Sequence, residues 1–150
     1  MRYFEDVLVG STATFGGYDV TKAEIVEFAR TYDPQPFHLD EEAAAESMFG
    51  ELVASGWHTM AMCMRMVADR PDPLAALAGV SADKIRWREP VRPGDHLHVR
   101  AEILEKHPST THDDRGYVTI GLEGINQDET VVVSYESTAL VKRRRYDDSA

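Results

Sequence analysis

Asp33 and His38 lie five positions apart in the run Tyr32-Asp33-Pro34-Gln35-Pro36-Phe37-His38-Leu39-Asp40, with two prolines between them. A carboxylate and an imidazole that share one water or one substrate proton are the tools of general acid–base catalysis. Proline fixes its own φ and disfavours helix at the residue before it. The segment is therefore expected to run extended, holding the pair on a stiff overhang. Gln35 can both donate and accept hydrogen bonds and is a candidate to orient the pair or a water. The competing reading is a Pro-rich loop with one solvated Asp and one solvated His, because turns collect such residues.

The elements on either side must position that pair. Thr21-Lys22-Ala23-Glu24 reads as a capping box, with Thr21 as N-cap and Glu24 reaching back. Ile25, Phe28, Ala29 and Tyr32 then repeat at i, i+3, i+4 and i+7, the stripe of an amphipathic helix that Pro34 ends. A second, short helix is expected from Asp40, with Asp40 as N-cap and Glu41 and Glu42 in its first turn. Trp57 to about Ala68 is apolar on nearly every face and predicts a buried helix. It holds four of the six methionines, at positions 60, 62, 64 and 66, which read as adaptable core filler.

Strands account for the rest. Ala13, Phe15, Tyr18 and Val20 suggest an early strand interrupted at Gly16-Gly17. Ile85 and Trp87 alternate with Lys84, Arg86 and Arg88; Leu97 to Ile103, Val118 to Leu122 and Val131 to Tyr135 alternate in the same way. Breaks at Pro93-Gly94-Asp95, 107–116 and 126–129 are too short for crossover helices, so the sheet is expected to be antiparallel. One apolar helix and one sheet with a single apolar face predict an α+β arrangement in which the sheet curls around the helix.

At 150 residues the chain is expected to be one domain, residues 1–150, with an ordinary core. A net charge of −10 argues against a nucleic-acid partner, and there is no apolar run of membrane-spanning length. Neither a signal peptide nor a disulfide is expected, since Cys63 is the single cysteine; the expected compartment is a reducing cytoplasm. The acids concentrate in residues 1–60, with 11 against 3 bases, whereas Lys84, Arg86, Arg88 and Arg92 form a small basic island. That island fits either an anionic ligand or a solvated strand face. Lys142-Arg143-Arg144-Arg145 reads as a frayed terminus. His96, His98, His107 and His112 show no metal-ligand spacing, so no metal is expected. The absence of Gly-x-Gly-x-x-Gly and P-loop patterns argues against a nucleotide cofactor.

Three ordered blocks carry a resemblance: the Asp33–His38 motif, Ala54-Ser55-Gly56-Trp57-His58, and Arg86-Trp87-Arg88-Glu89-Pro90-Val91-Arg92-Pro93-Gly94-Asp95. Together they resemble the MaoC-like dehydratases and (R)-specific enoyl-CoA hydratases, over nearly the whole chain. The chain departs in having Tyr32 before Asp33, where the motif usually has glycine, and Gln35 in the usual place of asparagine. The resemblance implies a single hotdog domain, an antiparallel β-sheet wrapped around a central hydrophobic helix. It implies an acyl-thioester hydratase or dehydratase with Asp33 and His38 as the acid–base pair, and Gly56 as the donor of a helix N-terminal N–H to the enolate oxygen. Glycine there would let the substrate approach closely. Gln35, Ser55, Trp57, His58, Arg86 and Arg88 are the candidate substrate-binding residues, and Met60 and Met64 with Trp57 are candidates to line the acyl pocket. His58 reads more readily as a satisfied interior histidine than as a pocket residue, and Ser55 is readable as a helix N-cap. Coenzyme A enters only as part of the substrate, with no other cofactor. A homodimer or a dimer of dimers is implied. The rival readings are a thioesterase on the same fold and a non-catalytic acyl-CoA-binding or partner subunit.

Overall fold

The computed structural model describes residues 1–144. Five strands form one antiparallel sheet in the order β1-β3-β4-β5-β2: β1 (Thr12–Asp19), β2 (Ala76–Trp87), β3 (His96–Pro108), β4 (Arg115–Ile125) and β5 (Val131–Lys142). Four α-helices precede β2, after a 3-10 turn at Phe4–Asp6: α1 (Lys22–Tyr32), α2 (Pro36–Leu39), α3 (Glu41–Ala45) and α4 (Gly56–Ala68). The alternation seen in the sequence puts Leu97, Val99, Ala101 and Ile103 of β3 on the inner face, all buried. Leu97, Val99 and Ala101 close on Met62, Cys63 and Met66 of α4 together with Val132 and Val133 of β5, whereas Ile103 joins a second cluster with Phe4, Val7, Val118 and Val141. The curled sheet around a central helix is the hotdog arrangement.

Gly16 and Gly17 do not interrupt β1; they form a bulge within it. The register against β3 shifts between Phe15 and Tyr18 while the strand continues. Gly16 takes φ +92°, and a Cβ there would lie 2.5 Å from Met66 Sδ. The bulge therefore admits the end of α4 into the bend of the sheet.

Three expectations about the helices change. α4 is not buried all round: His58, Thr59, Met62, Cys63 and Met66 face the core, whereas Trp57, Ala61, Met64 and Arg65 are exposed. The capping box of α1 is half formed. Thr21 Oγ1 accepts from the Glu24 N–H at 3.3 Å, but the Glu24 side chain is engaged elsewhere, by Tyr18 and His58. The overhang after Asp33 also contains a helical turn, Pro36–Leu39, because proline is well tolerated at the first helical position, where its missing N–H costs nothing.

Asp40 caps α3, its Oδ2 accepting from the Ala43 N–H at 3.1 Å. The basic tail is ordered as far as it is described. Lys142 ends β5, Arg143 Nε donates to Glu5 Oε1 at 2.9 Å, and Arg144 pairs with Asp6. The acids Glu5 and Asp6 hold a segment that composition alone read as frayed; Arg145 lies outside the described residues. No helix among the described residues is long and apolar enough to cross a membrane.

Candidate active site

Asp33 ends α1. Its backbone N–H still bonds Ala29 O, and its φ of −151° and ψ of 69° take the chain out of the helix ahead of Pro34. Three groups converge on its carboxylate. Gln35 Nε2 donates to Oδ1 at 2.6 Å, Ser55 Oγ donates to Oδ2 at 2.6 Å, and His38 Nε2 stands 3.4 Å from Oδ2. Burial by itself would raise the Asp33 carboxyl. The hydrogen bonds from Ser55 and Gln35, with the His38 ring beside them, outweigh it and hold the group below the usual carboxylate range. Asp33 is therefore an anion at neutral pH.

His38 is buried on α2, with Nδ1 2.7 Å from the carbonyl oxygen of Val53. A carbonyl can only accept, so Nδ1 carries the hydrogen and the neutral ring keeps its lone pair on Nε2, the nitrogen beside Asp33. Val53 is set in place by its own backbone: its N–H bonds Phe37 O at 3.3 Å, and the next N–H, of Ala54, bonds Val91 O at 2.8 Å. The ring is thus oriented from behind by a main-chain group that no residue-type pattern reveals.

Ser55 caps α4, its Oγ accepting from the Trp57 N–H at 3.3 Å while donating to Asp33. It is fully buried, so the expected contact with substrate gives way to a contact with the carboxylate. Gly56 is the first residue of α4, and its N–H has no partner among the described residues. The space vacated by its missing side chain is not left for a ligand. A Cβ there would lie 2.5 Å from the Trp87 ring, so glycine at this position admits Trp87.

A cavity of about 660 Å³ opens over Asp33, His38 and Gly56, walled on one side by Phe37 and Phe49 and on the other by Trp57 and Trp87. Trp57 therefore stands at the pocket as expected, but Met60 and Met64 do not line it; they project from other faces of α4.

His58 and Arg86 are corrections to the expected binding set. His58 faces away from this pocket: Nε2 lies 3.1 Å from Glu24 Oε1, the ring stacks on Phe28 at 4.7 Å, and Nδ1 is buried with no partner among the described residues. Two positions along a helix from Gly56 turn the side chain to a different face. Arg86 lies on the outer face of the sheet, in a groove with Lys84, Arg100, Glu123 and Glu136, because strand alternation sends it opposite to Trp87. Arg88 borders both cavities, but its Nε donates to Ser134 Oγ at 2.8 Å on the outer side. Arg92, also at the pocket, pairs with Glu51 at 3.0 Å.

Sequence reasoning missed Trp87 and the Val53 carbonyl as parts of the site. Trp87 was within reach of it: opposite strand faces for Arg86 and Trp87 leave the tryptophan turned toward α4. The lone Cys63 is no nucleophile, since burial pushes its thiol up to about 12.

Comparison with known proteins agrees with this architecture. Residues 6–126 match the MaoC like domain family. The crystal structure of a MaoC-like dehydratase from Rhodospirillum rubrum superimposes with a TM-score of 0.91 at 42% identity, covering 97% of this chain and 99% of that one. YdeM of Bacillus subtilis (strain 168), an uncharacterised protein, is 30% identical over 93% of this chain and 98% of its own length. The 3-hydroxybutyryl-CoA dehydratase of Methylorubrum extorquens is 34% identical over 71% of this chain and 66% of its own length. The chain belongs to the MaoC-like dehydratase family, a family of hydratases and dehydratases built on the hotdog fold.

Proposed function

We propose that this protein adds water reversibly to a 2-enoyl-CoA, giving a 3-hydroxyacyl-CoA, with Asp33 and His38 as the acid–base pair. The observation that carries the reading is Asp33 Oδ2 and His38 Nε2 standing 3.4 Å apart on the wall of a cavity. A water bridging them presents its oxygen to the substrate and one proton to the free lone pair of Nε2. As the water oxygen bonds to C3, the C2–C3 π pair moves toward the thioester and the carbonyl oxygen gains charge. The Gly56 N–H, at the positive end of a 13-residue helix, faces that charge. Return of a proton to C2 through the same pair completes the addition and leaves the protein unchanged. The ionised Asp33 stabilises the transient imidazolium. Addition of water changes no oxidation state, so the reading calls for no redox carrier and no cofactor beyond the coenzyme A of the substrate.

Coenzyme A is favoured over an acidic acyl carrier protein because the chain's net charge of −10 repels one. The dehydratase relative, whose name specifies a 3-hydroxybutyryl-CoA substrate, supports the same carrier. We further propose that two copies pair through β2. It is an edge strand 12 residues long, exposed along nearly its whole length, with Leu77 48% and Val80 51% exposed.

The test is a spectrophotometric assay of the purified protein on 2-enoyl-CoA thioesters of short, long, branched and dicarboxylic chains, with free thiol followed in parallel. Loss of the enoyl absorbance without thiol release is expected. Thiol release instead identifies a thioesterase, and an Asp33→Asn protein as active as wild type removes the pair from the mechanism.

A further inference from the structure

We infer that Trp87 is a second hydrogen-bond donor to the thioester oxygen, its indole Nε1–H acting beside the Gly56 N–H. The inference rests on the hydration reading for the identity of the substrate, and on geometry for everything else. The atoms of Trp87 nearest to residue 56 are Nε1 and its two bonded ring neighbours: a Cβ on Gly56 would meet Nε1 and Cε2 at 2.5 Å and Cδ1 at 2.9 Å. The donor-bearing part of the indole thus lies against the first residue of α4, where the unpartnered backbone N–H also sits.

The ring is held in this position from two directions. Its backbone is registered against Val133 in the sheet, and Trp57 packs edge-on against it with centroids 5.1 Å apart and planes at 78°. Trp87, the last residue of β2 and so beside the proposed contact between copies, borders the same cavity as Asp33 and His38, which brings the indole within reach of a ligand there. No hydrogen bond from Nε1 to any described residue competes for it.

The chemistry makes room for a second donor. A thioester oxygen that becomes an enolate oxygen has more than one lone pair, and a single backbone N–H satisfies one. Fixed donors aimed at developing charge are worth the most when they need no reorganisation, and loss of one costs about 100- to 1,000-fold in other oxyanion sites. With Gly56 retained, loss of the indole N–H is expected to cost less, about 10- to 100-fold. Trp87 is then a catalytic residue rather than a packing residue, and glycine at position 56 is required so that the two donors can lie side by side.

Trp87→Phe keeps an aromatic ring against Gly56 and removes only the donor. The expected result is a 10- to 100-fold fall in kcat with KM within about threefold and an unchanged pH profile. A second measurement needs no turnover. With 13C at the thioester carbonyl of butyryl-CoA, a saturated thioester that cannot be hydrated, the carbonyl stretch is expected to fall in frequency on binding. The indole N–H resonance of Trp87 in the 15N-labelled protein is expected to move downfield at the same time. The chain has two tryptophans, so a Trp57→Phe sample assigns the peaks. Wild-type kcat in a folded Trp87→Phe protein, or an unmoved Trp87 resonance on addition of butyryl-CoA, overturns the inference. Asp33→Asn should retain both spectroscopic signatures, which separates failure of the donor from failure of the acid–base reading.

Discussion

Two sets of the same functional groups lie at opposite ends of α1, and their histidines are held differently. At the C-terminal end Asp33 meets His38 and the hydroxyl of Ser55; at the N-terminal end Glu24 meets His58 and the hydroxyl of Tyr18. Each is a carboxylate, an imidazole and a hydroxyl in contact. In the first, Val53 O holds Nδ1, leaving the Nε2 lone pair at the cavity wall. In the second, Nε2 likewise faces its carboxylate, at 3.1 Å, but Nδ1 is buried with no partner among the described residues. The Tyr18 hydroxyl, raised to about 12 by burial and by Glu24, stays a donor at neutral pH. Composition does not make a general base. What separates the two sets is the Val53 carbonyl that fixes the His38 tautomer, since a cavity of about 580 Å³ borders Glu24, Tyr18 and His58 as well.

The Glu24–His58 contact has a mechanical role instead. It ties the first turn of α1 to the first turn of α4, while Ser55 and Asp33 tie the same two helices at the catalytic end. Phe28 stacks on His58 between them. The pair at one end thereby braces the geometry at the other.

The largest effect expected is from Asp33→Asn or His38→Ala. Each should lower turnover by at least about 100-fold with circular dichroism and melting temperature little changed, whereas Glu24→Gln should retain turnover within several-fold. Equal losses at both ends of α1 would erase the distinction between the two sets. Next comes the acid limb of the kcat/KM profile. The mechanism needs Asp33 ionised and the Nε2 lone pair of His38 free, so activity falls as acid loads a proton onto the pair, whose carboxylate hydrogen bonding holds low. Ser55→Ala removes one of those donors, raises the Asp33 pKa, and should move the acid limb to higher pH. The same limb should stay in place in Glu24→Gln.

The smallest effect is on stability. The Glu24 side chain is 42% exposed, so the loss of its charge in Glu24→Gln is expected to cost about 1 kcal/mol. For a domain of this size that is a fall in Tm of about 2–5 °C, measurable by calorimetry. An unchanged Tm would mean that the Glu24–His58 contact braces nothing.

Much of this was legible in the residues. The stripe Ile25, Phe28, Ala29, Tyr32 and the cap at Thr21 specify α1 locally, and Pro34 ends it, so Asp33 had to stand at a helix terminus. The two-residue period of β3, β4 and β5 fixed which side chains enter the core. The helical turn at Pro36 was misread because proline's effect depends on its place in the helix: it forbids the interior and suits the first turn. His58 was misplaced because α4, apolar on so many faces, gave no indication of which one meets the sheet.

The sequence by itself determined the helix termini, the strand alternation and the nearness of Asp33 to His38, because each depends on residues within a turn or two of one another. Tertiary structure alone decided which nitrogen of His38 keeps the free lone pair, through a carbonyl 15 residues away. It also brought Ser55 to Asp33 from 22 residues away and seated Trp87 against Gly56. These contacts join separate elements, and their distances are set by how a helix and a curved sheet pack, a property of the whole fold that no local run of residues encodes.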